Sequence, residues 1–417
     1  MPQSPSSNPN RDVRMRGFAQ RSTVDEALAW LRPHWQPLGE ETVSLAHAHD
    51  RILTRAVESG VNVPQFRRAM MDGFALQAAD TQGATTYNRL TLNIIGEAWP
   101  GRPFEGQVTA GTTVRIMTGS PMPEGADAVL PVEKVEVDGQ QVLLLDEIPP
   151  EKHVGRVGED IAKASEVLPA GRRLRPQDLG VLSSVAVPEV PVVRRPRVRI
   201  VVTGNELLPA GTTPGPYEIV DANGPMLTAL IERDGGEVLY PGIVPDDPQA
   251  ITAALEDDCD VVLVSGGSSV GKEDFVPVLL ADQGELAIHG IAMRPSSPAG
   301  MGKLGDRLVF LLPGNPVSCL CAYDFFAGPT IRAFGGRDSD WPYRSRPLPL
   351  ARKLVSTVGR VDYARVLIND QDEVEPLAIS GASILSSTTR ASGFVIIPGD
   401  SEGYPPGADV DVYLYDQ

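Results

Sequence analysis

Cysteine is nearly absent from this 417-residue chain: Cys259, Cys319 and Cys321 are the only three. Cys319 and Cys321 lack both the two-residue gap and the companion ligands of a zinc site, so they read as small buried hydrophobes on an apolar helix. A reducing compartment, the cytoplasm, is the expectation. No apolar run approaches the roughly 18 residues of a membrane span. The first ten residues, MPQSPSSNPN, lack the apolar core of a secretory signal and read as a disordered tail. Positive charge is also short: 37 Lys and Arg against 54 Asp and Glu give a net charge of −17. That balance argues against bulk electrostatic binding to nucleic acid or to an anionic membrane. The five histidines are scattered, no internal repeat occurs, and the glycine-rich stretch SGGSSVG is neither a Walker loop nor a GxGxxG fingerprint.

What is present is the composition of a globular protein, 42% hydrophobic and 22% charged. The length predicts two to four domains and suffices to bury several cores without a metal or a disulfide. Gly (41) and Pro (38) are plentiful, which means many turns and several linkers.

The stretch STVDEALAWLRP predicts a helix with Thr23 and Glu26 as a capping box, Val24, Ala27, Leu28 and Leu31 on one face, and Pro33 as its end. From about residue 47 to 160, short runs such as LTLNIIGEAWPG and QQVLLLDEIPP predict strands and turns. Helix returns at PQDLGVLSSVAV, and Pro188, Pro191 and Pro196 then make a stiff connector. Residues 197 to about 336 alternate apolar strands (RVRIVV, EVLYPGIV, DVVLVS, RLVFLLPG) with helices, the pattern of a doubly wound α/β domain with a parallel sheet covered on both faces. The final stretch returns to short strands such as RVLIND, GFVIIPG and VDVYLY. The expected fold is thus multi-domain α/β plus β. It has a tail (1–16), a small helical linker domain from two segments (17–46 plus 163–196), an inserted β domain (47–162), a central α/β domain (197–336) and a C-terminal β-barrel-like domain (337–417).

Most of the chemistry falls on turns that follow strands. In DVVLVSGGSSVGKEDF the strand ends in a turn holding Gly266, Gly267, Ser268, Ser269 and Gly271. Glycines let the backbone close on a phosphate, and a helix N-terminus supplies unpaired N–H groups. Asp274 would repel that phosphate unless a divalent cation such as Mg²⁺ lies between them. Three more turns belong to the same edge: TGNEL with Glu206, VPDDP with Asp246 and Asp247, and LPGNPVS with Pro313, Gly314, Asn315 and Pro316. Each has a structural reading as well, the aspartates as helix caps and the asparagine as a cap before proline. The β region carries a separate set, Asp72 in AMMDGFA, Thr118 in RIMTGSPMPEGAD and Asp160 in GRVGEDI. Near the C-terminus, Arg360, Arg365 and the hydroxyls Ser383, Ser386, Ser387, Thr388 and Thr389 offer an anion site or simply a polar edge.

In order and spacing, MDGFA, RIMTGSPMPEGADAV, GEDI, VVTGNEL, SGGSSVGKEDF and LPGNPVS resemble the molybdopterin molybdenumtransferase family (MoeA and the gephyrin E domain) from about residue 22 to the end. The resemblance implies an elongated homodimer whose α/β domain is similar to the molybdopterin adenylyltransferases. It implies an Mg²⁺-dependent transferase that inserts molybdate into adenylylated molybdopterin and releases AMP. On that basis the glycine loop and Asp274 would hold phosphates and metal with Asp246 beside them, Glu206 would sit in the cleft, and Pro313 and Pro316 would shape its wall. Asp72, Thr118 and Asp160 would face the partner subunit's cleft. Arg360 and Ser386 or Ser387 would come from the C-terminal domain. Implied partners are a molybdopterin adenylyltransferase and the molybdoenzymes that accept the cofactor. This chain departs from the family's usual KPGKP: it reads Arg294-Pro295-Ser296-Ser297-Pro298, so one lysine becomes a fixed guanidinium and the other, at Ser297, loses its charge. Two alternatives stand beside this reading: nucleotidyl transfer of the adenylyltransferase kind, and a catalytically idle, gephyrin-like scaffold.

Overall fold

RVRIVVT forms the strand Arg197–Thr203 (β1) at the heart of a seven-stranded sheet. The structure, a computed structural model, describes residues 21–266, 275–378 and 381–415. It divides into two compact units, one of residues 42–49 and 53–192 and the other of the remainder.

The second of these holds the α/β sheet. After β1 come Asn223–Arg233 (α1), Glu237–Leu239 (β2), Ile243–Val244 (β3), Pro248–Leu255 (α2), Val261–Ser265 (β4), Val276–Gln283 (α3), Glu285–His289 (β5), Gly300–Leu304 (β6), Arg307–Leu312 (β7), Pro316–Ala322 (α4) and Gly328–Phe334 (α5). The strand order is β2-β1-β4-β7-β6-β5, with β3 also on β1. Every residue of β4 is buried, as a strand covered on both faces must be, and each of its Val and Leu side chains contributes about 1.5–3 kcal/mol by burial.

Two sequence expectations need refinement. The sheet is mixed, because β6 and β7 are antiparallel. Only Gly305 and Asp306 separate them, enough for a hairpin and far too few for a parallel crossover. The stretch EVLYPGIV is two strands, interrupted where Pro241 has no N–H to donate and Gly242 takes φ 127°, yet both pieces pair with β1. Helix α1 starts two residues before Pro225, because Asp221 Oδ1 accepts from the amides of Asn223 (2.9 Å) and Gly224 (3.0 Å). The helix Val24–Leu31 has the full Thr23–Glu26 capping box, and its Val24, Ala27 and Leu31 join the same core as β1 and β7. Cys319 and Cys321 are fully buried in α4, and burial pushes the Cys319 thiol up to about 12, so it is an inert hydrophobe.

The same unit contains the C-terminal sheet: Ser345–Pro349 (β8), Val361–Ile368 (β9), Val374–Ala378 (β10), Gly393–Ile397 (β11) and Asp409–Leu414 (β12), with the short helix Ser386–Arg390 (α6) between β10 and β11. Its order begins with the two-residue strand Met293–Arg294 and continues β9-β11-β12-β8. Thus a segment between β5 and β6 of the α/β sheet also serves as a strand of this one. Stacked rings of Tyr363, Phe394 and Tyr413 fill the space beside it.

In the other unit, six strands run in the order 128–131, 73–76, 112–116, 90–98, 141–144, 135–138. Phe74, Leu76, Leu92 and Leu130 pack in one core cluster, and Ala75, Val114, Ile116 and Val129 pack in a second. That division follows from strand alternation. The helix Pro176–Ser184 carries buried Asp178, which accepts from Arg172 and Arg175. Burial pushes this carboxyl up, but the two guanidinium groups outweigh it and hold it well below the ordinary range.

Candidate active site

Strand register brings the predicted turns together. Thr203 of β1 pairs with Val244 of β3, Val202 with Ser265 of β4, and Ser265 with Leu312 of β7. Their following loops therefore leave from the carboxyl edge of parallel strands, where open α/β sheets bind ligands. A cleft of about 770 Å³ lies there. Glu206 and Asp246 line it, as do Gly266 and the turn Pro313, Gly314, Asn315 and Pro316. Gly267, Ser268, Ser269, Gly271 and Asp274 lie outside the described residues.

The two adjacent aspartates have separate duties. Asp247 Oδ1 caps α2, accepting from the amides of Gln249 (3.1 Å) and Ala250 (2.9 Å). Asp246 instead faces the cleft, and its carboxylate accepts from the Asn205 amide (3.2 Å) while its own amide donates to Asn205 Oδ1 (3.4 Å). Ionisable side chains of the described lining are Glu206, Asp221 and Asp246, with no Lys or Arg among them. A divalent cation would offset the charge of these carboxylates toward an anion entering the cleft.

Gly266 is fixed by its surroundings. Its φ is +95°, and a Cβ there would meet the Thr203 carbonyl oxygen at 2.4 Å. Two residues that the sequence did not single out complete the edge. Asn223 Nδ2 donates to Ser265 Oγ (2.8 Å) and to the Gly314 carbonyl (2.8 Å), tying the start of α1 to the loops after β4 and β7. Asp221 holds that helix start and also accepts from Tyr240 Oη (2.5 Å). The pattern Asp-x-Asn just before a helix was the available signal.

A cationic group lies on the C-terminal sheet. Arg294 Nη2 and Arg360 Nε both donate to Asp362, at 2.5 and 3.0 Å. Buried Arg294 Nε and Ser297 Oγ have no hydrogen-bond partner among the described residues. Ser386 is exposed, whereas the Ser387 hydroxyl donates to the Ile384 carbonyl (2.6 Å) and is buried. Arg365 is fully buried within the sheet. Ser383, just upstream of α6, lines the cleft, and the Ala382 carbonyl accepts from the Val317 amide of α4.

In the other unit, Asp72 Oδ1 accepts from both the amide and the hydroxyl of Thr118, each at 2.7 Å. The backbone N–H first, and the hydroxyl second, hold this exposed carboxyl below its ordinary range. Asp160 sits in a different turn, its amide donating to the Val63 carbonyl. Thr118→Val keeps the backbone donor and removes the hydroxyl, so the Asp72 pKa is expected to climb part of the way back toward the ordinary aspartate value. Carbonyl ¹³C titration reads this directly; an unmoved titration would mean that the hydroxyl bond contributes nothing.

Three family models match successive stretches of the chain. Residues 22–186 match the MoeA N-terminal region (domain I and II), 199–333 the probable molybdopterin binding domain, and 347–415 the MoeA C-terminal region (domain IV). The molybdopterin molybdenumtransferase of Haemophilus influenzae is 32% identical over 385 residues, covering 90% of this chain and 94% of that protein. The Bacillus subtilis protein of the same name is 31% identical over 409 residues, covering 94% and 93%. A crystal structure of the molybdopterin biosynthesis MoeA protein from Pyrococcus horikoshii superimposes with a TM-score of 0.75 at 30% identity, covering 95% of this chain and all of that one. With this agreement in sequence and fold, the chain belongs to the molybdopterin molybdenumtransferase family, transferases of molybdenum cofactor biosynthesis.

Proposed function

We propose that the chain inserts molybdate into adenylylated molybdopterin, with release of AMP, at the carboxyl-edge cleft. The observation that carries this reading is the cleft's lining: glycine and proline turns that admit a bulky ligand, and carboxylates as its only described ionisable side chains. Mg²⁺ commonly takes one or two carboxylates and completes its shell with substrate phosphates, so Asp246 and Glu206 fit it without a third protein ligand. Bound there with Asp274, it would neutralise phosphoanhydride charge. The turn at Gly314 and Asn315 and the glycine loop from Gly266 receive the nucleotide portion. Arg294, Ser297, Arg360 and Ser386 take the oxyanion, for which the two partly exposed guanidinium groups are suited.

Asp72, Thr118 and Asp160 act, on this reading, at the cleft of the partner subunit in a homodimer. The low pKa of Asp72 and the exposure of neighbouring Met70 and Met71 suit a charged residue within an apolar contact. We also propose the domain division 17–46 plus 163–196, 47–162, 197–336 and 337–417, and a cytoplasmic setting in which a molybdopterin adenylyltransferase supplies the substrate and molybdoenzymes take the product. No helix of the described residues is long and apolar enough to cross a membrane.

The test is to incubate the purified chain with adenylylated molybdopterin, molybdate and Mg²⁺ and to measure AMP. AMP is expected only when all three are present. AMP release without molybdate would sink the reading, and adenylylation of molybdopterin from MgATP would favour the nucleotidyl-transfer alternative. Absence of both reactions and of any ligand-dependent thermal shift would leave a scaffold.

A further inference from the structure

Asp362 has no solvent exposure, yet it is a carboxylate shared between two guanidinium groups. Backbone pairing puts it there: Met293–Arg294 runs parallel to β9 with Arg294 opposite Asp362 in register. Arg360, two residues before Asp362 and just outside β9, reaches the same carboxylate directly. Asp362 Oδ2 accepts from Arg294 Nη2 (2.5 Å) and Ser356 Oγ (2.8 Å), and Oδ1 accepts from Arg360 Nε (3.0 Å). Both guanidinium side chains remain 32% exposed. The trio carries a net charge of +1. Each guanidinium has five N–H donors, of which Asp362 occupies a minority.

We propose that Asp362 is a positioning residue for the oxyanion substrate: it holds Arg294 and Arg360 side by side, with their remaining N–H groups available to one tetrahedral anion. This rests on the reading that these two arginines bind molybdate. Without the carboxylate, two like charges repel and the side chains lose their common anchor. Two effects then compete in Asp362→Asn. Removing a negative charge favours anion binding, but the new amide N–H₂ opposes two guanidinium groups that can only donate, and the arginines lose their orientation. Charge at a partly exposed site is screened by water and salt, whereas guanidinium–oxyanion bonds depend on direction, so the loss of geometry dominates.

The experiment measures initial rates of AMP release by full-length variants. For Asp362→Asn the KM for molybdate is expected to rise about tenfold or more, while the KM for adenylylated molybdopterin stays within about twofold. Ser356→Ala keeps both ion pairs and removes one accepted bond, so it should raise the same KM by a smaller factor. A molybdate KM that is unchanged or lowered in Asp362→Asn overturns the proposal, since a residue that merely offsets charge or supports the fold gives one of those results. If Asp362→Asn does not fold, Ser356→Ala decides, and an unchanged KM there overturns it. Arg294→Ala and Arg360→Ala report on the underlying reading. If neither alters the molybdate KM, the oxyanion is held elsewhere and both ideas fall; if both alter it while Asp362→Asn does not, only the positioning role fails.

Discussion

Asp246→Ala is expected to lower molybdate-dependent AMP release by about 100-fold and to raise the Mg²⁺ concentration needed for half-maximal rate. Its unfolding midpoint should stay close to that of the parent, because among the described residues Asp246 bonds only the neighbouring turn at Asn205. Asp247→Ala is the matched control. That carboxylate caps α2, so its loss should cost about 1 kcal/mol of stability while turnover changes little. Two adjacent aspartates with opposite phenotypes would separate the cleft from the helix cap. Parent-like turnover of Asp246→Ala at limiting Mg²⁺ would remove Asp246 from the mechanism.

Gly266→Ala is expected to act on fold and activity together. An L residue at φ +95° is strained, and its Cβ would lie 2.4 Å from the Thr203 carbonyl oxygen and 3.1 Å from Thr203 Oγ1. The end of β1 or of β4 must move to relieve that contact. A loss of about 2–3 kcal/mol follows, with at least a tenfold loss of turnover because both strand ends border the cleft. Gly314→Ala gives the contrast. Among the described residues beyond its chain neighbours, the nearest heavy atom to its Cβ would be Gly266 Cα at 3.8 Å, so stability should hold and any change in rate would arise within the cleft. Denaturant midpoints beside AMP-release rates distinguish the two; equal midpoints for both variants would refute the argument.

Much of the fold was legible because it rests on local periodicity. The capping box at Thr23 and Glu26, the apolar strand β4 and the alternation along Leu90–Ala98 are each decided by neighbours within one turn or one pleat. The antiparallel edge of the α/β sheet was legible too, in the two-residue Gly305-Asp306 turn, but the βα pattern around it concealed the signal. For the site, the ordered turns pointed to Glu206, Asp246 and Gly266, which the cleft brings together. Asn223 and Asp362 were not visible in this way. Their importance lies in partners far along the chain, Ser265 and Gly314 for the one, and Arg294 for the other.

By itself the sequence determined which segments are helix, strand or turn and which family the chain resembles, since backbone preference and the period of apolar residues are local properties. It also placed Asp246 and Asp247 in one turn, though not which of them caps the helix. Only the tertiary structure decided that, because the answer depends on where α2 begins relative to β3. Likewise, Arg294 and Asp362 meet because a strand from the α/β segment pairs in register with the C-terminal sheet. Hydrogen-bond registry between distant strands is set by the packing of whole layers, and no window of neighbouring residues contains it.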